Sequence, residues 1–354
     1  MYLSQKSRLF LLGCTLTNQS GTSAPRILVQ VGLDPPNSRL EKTSVFEQVR
    51  SKLSDRQRTT LRVTQDGYQG AESQYWRVEL SGVGAAAWSD TQDAGGLFRA
   101  CTRDICMELQ STTLPLLVPS PNAALGVEGR DRWLPTPPLS GKLSDTAREQ
   151  YKFLGALMGA AARGASFMEL DLAAAVWKKL LGETLTVDDL SSFDERIVQY
   201  LKNLVAMSEG EWDAADVRWR IRNAGGRIVA LTPAKGDAAS DVVPFTRRDD
   251  YIAAALALRL GEFDEPIAQM KAGLGEVVPV RNGMGLMGWR ELEQRVCGEP
   301  RIDLEVLKSI AKYDGEYRRQ GASHPVIAMF WRVMDGMTEQ VCKLKSHIRQ
   351  HSCA

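Results

Sequence analysis

Apolar residues along this chain recur at two spacings, and the helical one dominates. Val45, Phe46, Val49 and Leu53 fall on one face of a helix over Leu40 to Leu53. Leu97, Phe98, Cys101, Ile105 and Leu109 repeat that spacing after a glycine turn at Gly95-Gly96. Thr146-Ala147-Arg148-Glu149 has capping-box form, and Phe153, Leu154, Leu157, Met158 and Ala161 follow on one face. Leu172, Val176, Trp177, Leu180 and Leu181 predict the next helix, closed by Gly182 in the left-handed conformation. Thr186-Val187-Asp188-Asp189 and Ser192-Phe193-Asp194-Glu195 predict two further helix starts, and Tyr251–Leu260 and Trp289–Val296 continue the series.

The second spacing is the alternation of a half-buried strand. Trp76, Val78 and Leu80 show it, as do Val217, Trp219 and Ile221. Arg227 to Leu231 is β-prone, and Gly225-Gly226 and Gly236-Asp237 can turn, so residues 208–250 predict a small β-containing insertion between helices. Residues 1–38 are rich in Ser, Thr, Gly and Pro and predict a linker with one short strand, Ile27 to Val31. The expected class is α+β, mainly helical.

Composition narrows the chemistry. With 44 basic against 43 acidic residues the net charge is +1, so no global field draws nucleic acid or an anionic membrane. Leu9 to Leu12 is shorter than the roughly 7–15 apolar residues of a signal core. Ala253 to Leu258, closed by Arg259, is far below the about 18 residues of a span. Six scattered cysteines in 354 residues do not form a disulfide framework and suit a reducing, cytoplasmic setting. Cys342, His347, His351 and Cys353 resemble a metal quartet but lack a paired-cysteine knuckle, so neither a metal nor a cofactor is expected.

Several patches in order resemble the HECT-type ubiquitin ligases. They are Arg77-Val78-Glu79-Leu80 with Asp93 to Arg99, Pro119-Ser120-Pro121-Asn122, Arg130 to Pro135, Phe153 to Gly159, Leu185 to Leu190, Cys297-Gly298, Tyr313 to Tyr317 and Met329-Phe330-Trp331. The flavour is that of members whose catalytic domain follows chromosome-condensation-regulator repeats. The resemblance implies a bilobal catalytic domain. An N-lobe over 39–312 would hold a small subdomain, about 187–252, for a ubiquitin-conjugating enzyme. A hinge at 313–317 (Tyr313, Asp314, Gly315) would lead to the start of a C-lobe at 318–341.

From the resemblance, Ile197, Leu201, Val217, Trp219 and Tyr251 map to the groove for conjugating enzymes. The alternative is that they are core of the subdomain. Arg218 and Arg220 flank Trp219 and need solvent, which argues against its full burial. Partners implied are a conjugating enzyme, ubiquitin and a protein substrate. Residues 342–354 diverge from the family pattern, and no cysteine stands in the Thr-Cys-Phe setting of the family nucleophile, so no catalytic residue is assigned. Two functions are therefore expected of such a chain: a ubiquitin transferase by family, or an N-lobe without its nucleophile that binds or sequesters a conjugating enzyme.

Overall fold

The computed structural model of the chain describes residues 26–29, 44–53, 61, 77–80, 96–138, 141–164, 167–232, 241–278, 285, 287–298 and 304–336. Helices dominate these residues: α1 (Val45–Lys52), α2 (Gly96–Leu109), α3 (Asp145–Arg163), α4 (Ala174–Leu181), α5 (Val187–Ser191) and α6 (Glu195–Ala206) come first. They are followed by α7 (Glu209–Ala215), α8 (Arg248–Gly261), α9 (Asp264–Val277), α10 (Trp289–Cys297), α11 (Leu304–Ile310) and α12 (Pro325–Asp335). Strands form three separate two-stranded ladders among the described residues. β1 (Arg26–Val29) lies parallel to β2 (Arg77–Leu80), while β3 (Leu117–Pro119) with β4 (Trp133–Pro135) and β5 (Arg220–Arg222) with β6 (Ile228–Ala230) are antiparallel. The mainly helical α+β class holds.

Helix α3 is the centre of the body and is buried along most of its length. It packs on α9, where the two backbones come into contact. A Cβ at Gly155 would overlap the Met270 carbonyl oxygen, and one at Gly273 would overlap that of Lys152. At Gly159 an added Cβ would stand 2.8 Å from Val277 Cβ. Only glycine allows this approach. Helix α9 has no counterpart among the sequence-based expectations.

Side chains finish the body by satisfying helix ends. Ser44 caps α1, and the Glu108 carboxylate from α2 accepts from the Val45 and Phe46 amides at 2.7 and 3.0 Å. Those amides have no partner within their own helix, and a carboxylate suits the positive end of the helix dipole. Phe46 then meets Phe153 edge to face at 5.3 Å. The cap of α3 is Ser144, two residues before the expected Thr146. Gly182 closes α4 at φ 83°, and Thr186 with Asp189 forms the capping box of α5, both as the sequence predicts.

The continuous apolar core ends at α10, with Val296 and Cys297 as its last members. Residues 304–336 pack differently. Trp331 and Met334 of α12 are buried, but Val326, Met329, Phe330 and Val333 are exposed along the same helix. No helix among the described residues is long and apolar enough to cross a membrane.

Candidate functional site

In the α5–α8 subdomain, which shares its apolar core with the body, two polar joints set the geometry, one to the body and one internal. The first clamps the β3–β4 loop onto the turn between α5 and α6. Ser120 Oγ donates to Phe193 O at 2.7 Å, and Asn122 Nδ2 donates to Ser191 O and Glu128 O. Asn122 Oδ1 accepts from the Glu195 amide at 2.7 Å, which satisfies the start of α6. Gly129, at φ 77°, sits so close that a Cβ would overlap Ser192 O, so both its conformation and its space demand glycine.

The second joint is buried and ionic. Arg259 of α8 is fully buried and donates through Nη2 to Asp194 Oδ2 at 2.8 Å, while its Nε lies 3.3 Å from Glu262 Oε1. Its Nη1 reaches Arg222 O at 3.3 Å, and Glu262 Oε2 accepts from the Ala224 amide at 3.1 Å. Asp194 also caps α6 by accepting from the Ile197 amide. One cluster thus fastens the start of α6, the end of α8 and the β5–β6 hairpin together. Two carboxylates share one guanidinium away from water. Burial pushes Asp194 up from its ordinary range and Glu262 up to about 7, with Arg259 opposing in each case.

Beyond the joints lies an aromatic cluster. Tyr251 meets Trp219 at 6.0 Å and Trp212 at 6.3 Å, both edge to face, and Trp212 also meets Phe245 at 6.3 Å. Trp212 Nε1 donates to Val243 O at 2.7 Å, so its burial leaves no orphaned donor. The Arg247 guanidinium lies 4.9 Å from the centroid of the Trp219 ring.

The structure brings Ile197, Leu201, Val217, Trp219 and Tyr251 into this one subdomain, and all five are buried there. Trp219 is 4% exposed and Tyr251 1%. The expectation that Arg218 and Arg220 keep Trp219 partly exposed is corrected. Alternation along a strand gives it one wet and one dry face, and Trp219 lies on the dry one. The exposed large apolar residues of the subdomain are others: Val187, Tyr200 at 38%, Val205 at 56%, Ile228 at 63% and Val242. Tyr200 and Val205 flank the buried face of α6 on either side, about 140° apart around the helix. The helical period alone does not mark them as exposed, because it places Val205 between Leu201 and the buried Val198.

Tyr313, Asp314 and Gly315 belong with the later helices. Tyr313 Oη accepts from Trp331 Nε1 at 3.1 Å, Asp314 accepts from the Gly315 amide at 2.8 Å, and Gly315 stands at φ 59°. All three lie beyond the end of the main core.

The described cysteines are placed as packing residues. Cys101 and Cys106 are buried on α2, as expected for that apolar face. Burial pushes the Cys106 thiol well above its ordinary value and that of Cys297 up to about 12, and Cys297 donates to Leu170 O at 3.4 Å. A thiol so placed is not a thiolate at neutral pH. Cys14, Cys342, His347, His351 and Cys353 lie outside the described residues, and no metal-ligating cluster occurs among the described ones.

Comparison with known proteins gives a family and several relatives. Residues 103–344 match the family model described as HECT-domain (ubiquitin-transferase). The chain is 33% identical over 267 residues to E3 ubiquitin-protein ligase HERC2 of Homo sapiens and, equally, of Mus musculus, covering 74% of this chain and 5% of each relative. It is 27% identical over 276 residues to Probable E3 ubiquitin-protein ligase HECTD4 of Homo sapiens, covering 72% of this chain and 7% of that protein. The chain thus spans a small fraction of the length of the curated relatives it matches.

Proposed function

The chain belongs to the HECT-domain ubiquitin-transferase family, and from that premise we propose that its helical body is the N-lobe of a ubiquitin ligase, with the α5–α8 subdomain as the dock for a ubiquitin-conjugating enzyme. The observation that carries this reading is the surface of α6. Tyr200 and Val205 stand exposed on the two flanks of a helix whose central face is buried in the subdomain core. Exposed apolar residues on a rigid base are the usual anchor of a protein interface. In this reading Ile197, Leu201, Val217, Trp219 and Tyr251 act from beneath, holding the floor of the dock. The Tyr200 and Tyr251 hydroxyls, 3.3 Å apart, link surface to floor.

The family's chemistry passes ubiquitin as a thioester and then to a substrate lysine. A thiolate suits this because it is both a strong nucleophile and a good leaving group. Cys101, Cys106 and Cys297 are structural in this scheme, and the described residues serve docking and lobe support. The burial of those three thiols favours a second reading as well, in which the described part alone captures a charged conjugating enzyme without reacting with it.

The articulation between lobes is read at Tyr313, Asp314 and Gly315, a reading supported by their position beyond the end of the main apolar core and by the φ of 59° at Gly315. Docking is tested by Tyr200→Ala, with calorimetric binding to a conjugating enzyme and a melting curve on one sample. Loss of a central aromatic anchor costs about 2 kcal/mol, roughly thirty-fold in affinity. Unchanged affinity in the folded variant would remove α6 from the dock.

A further inference from the structure

The strand that carries Trp219 has a second face with its own chemistry. Val217, Trp219 and Ile221 are buried, so Arg218, Arg220 and Arg222 line up on the opposite side at the two-residue period. Cross-strand partners complete that outer face: Val242 opposite Arg218, Ala230 opposite Arg220 and Ile228 opposite Arg222. The result is a row of guanidinium groups beside a row of exposed apolar side chains.

Arg218 is already engaged, by Asp216 at 2.6 Å and Asp241 at 3.1 Å. Arg220 and Arg222 have no carboxylate partner among the described residues. Arg222 donates only to Gly226 O at 2.7 Å. From the buried side, Tyr251 Oη donates to Arg220 O at 3.1 Å and lies 3.3 Å from the Tyr200 hydroxyl, so the hairpin backbone is tied to α6 from beneath. At the far end Arg248 donates to Val205 O.

We propose that this arginine row selects, among conjugating enzymes, those whose docking face is acidic, with an apolar side chain of the enzyme seated on Ile228. The inference rests on the reading of α5–α8 as the dock and names the kind of partner that dock takes. Guanidinium groups pair with carboxylates in a fork that a lysine cannot reproduce. A nucleic acid would satisfy the charges but leave Ile228, Ala230 and Val242 facing phosphates, and the chain's net charge of +1 offers it no wider field.

The experiment uses the full chain and a set of purified conjugating enzymes ranging from acidic to basic docking faces. Affinities are measured at about 0.05 M and about 0.5 M salt, either side of the ionic strength where exposed charges become screened. The expected result is at least about ten-fold tighter binding of acidic enzymes at low salt, shrinking at high salt. The Arg220→Glu/Arg222→Glu variant should reverse that preference. Arg220→Gln/Arg222→Gln, with a melting curve on the same sample, should abolish the preference without unfolding the hairpin.

Binding that ignores both salt and charge reversal would overturn the inference while leaving the dock in place. No binding by any conjugating enzyme would overturn the dock and the inference together. Binding of a labelled RNA that is lost on charge reversal, with enzyme binding unchanged, would give the row to nucleic acid and refute the proposal.

Discussion

In the helical body, α3 and α9 touch backbone to backbone at Gly155 and Gly273, whereas the subdomain between them in sequence is held by side chains. The body's central contact has no room for one extra carbon, and the polar pairs Arg148–Glu265, Lys152–Glu276 and Arg163–Val277 O only border it. The subdomain is fastened to the body through Asn122 and closed on itself through Arg259, Asp194 and Glu262, and its centre is a set of rings at edge-to-face distances. The difference separates two kinds of stability. A contact made of shape fails when an atom is added, whatever the solution conditions. A joint made of charge changes with pH and with the loss of a single partner.

The largest expected effect tests the first kind. Gly273→Val should push α9 off α3 and cost more than about 4 kcal/mol, with loss of the cooperative melt of the body. A folded variant with a near-normal melt would show that the helices slide past each other, and the contrast with the subdomain would collapse. Trp219→Ala comes next. Removing this buried ring should cost about 3–5 kcal/mol. Hydrogen exchange should show protection lost in α6 to α8 and kept in α3 and α9. Uniform loss across the chain would mean that body and subdomain unfold as one unit.

The smallest effect concerns pH. Glu262 titrates at about 7 in the folded chain instead of 4.5, so folding takes up a proton between those values. Its contribution to stability is complete below pH 4.5 and is lost as pH rises through 7. The native chain should therefore lose up to about 3 kcal/mol relative to Glu262→Gln as pH rises across that window. Asp194 is raised for the same reason, but it is present in both proteins and largely cancels from the comparison. Parallel stability curves for the two proteins would show that Glu262 is ionised throughout and that the joint has no pH sensitivity.

Local signals were legible wherever local forces decide. Thr186, Gly182 and the α10 span follow from capping and period alone. Helix α9 was not legible, although Ile267, Met270, Leu274 and Val277 have helical spacing, because Pro266, Gly273 and Gly275 argue against a helix. The glycine that lowers its propensity is what admits it to α3. Within the expected start Ser192 to Glu195 the cap of α6 is Asp194, which is also drawn to Arg259, sixty-five positions away. Helix α7 carried a visible Ser208–Glu211 capping box inside a stretch otherwise read as β.

The candidate site shows the same division. Its five residues lie together in the fold, but whether they face water depends on Trp212, Phe245 and Arg247, which only the fold brings to them.

The pairing of α3 with α9 also has a consequence in time. The two helices are separated by roughly 100 residues of chain, so closing that loop costs about 4 kcal/mol of chain entropy if the intervening residues are still unfolded. On a ribosome, the glycine-lined side of α3 emerges about 5–20 s before α9 is synthesised, at about 5–20 residues per second. During that interval its apolar face has no native cover. A subdomain that condenses first would shorten the loop and bring α9 to its partner sooner. An Arg259 joint that closed the subdomain before α9 is complete would shorten the time the nascent chain stays exposed to its neighbours.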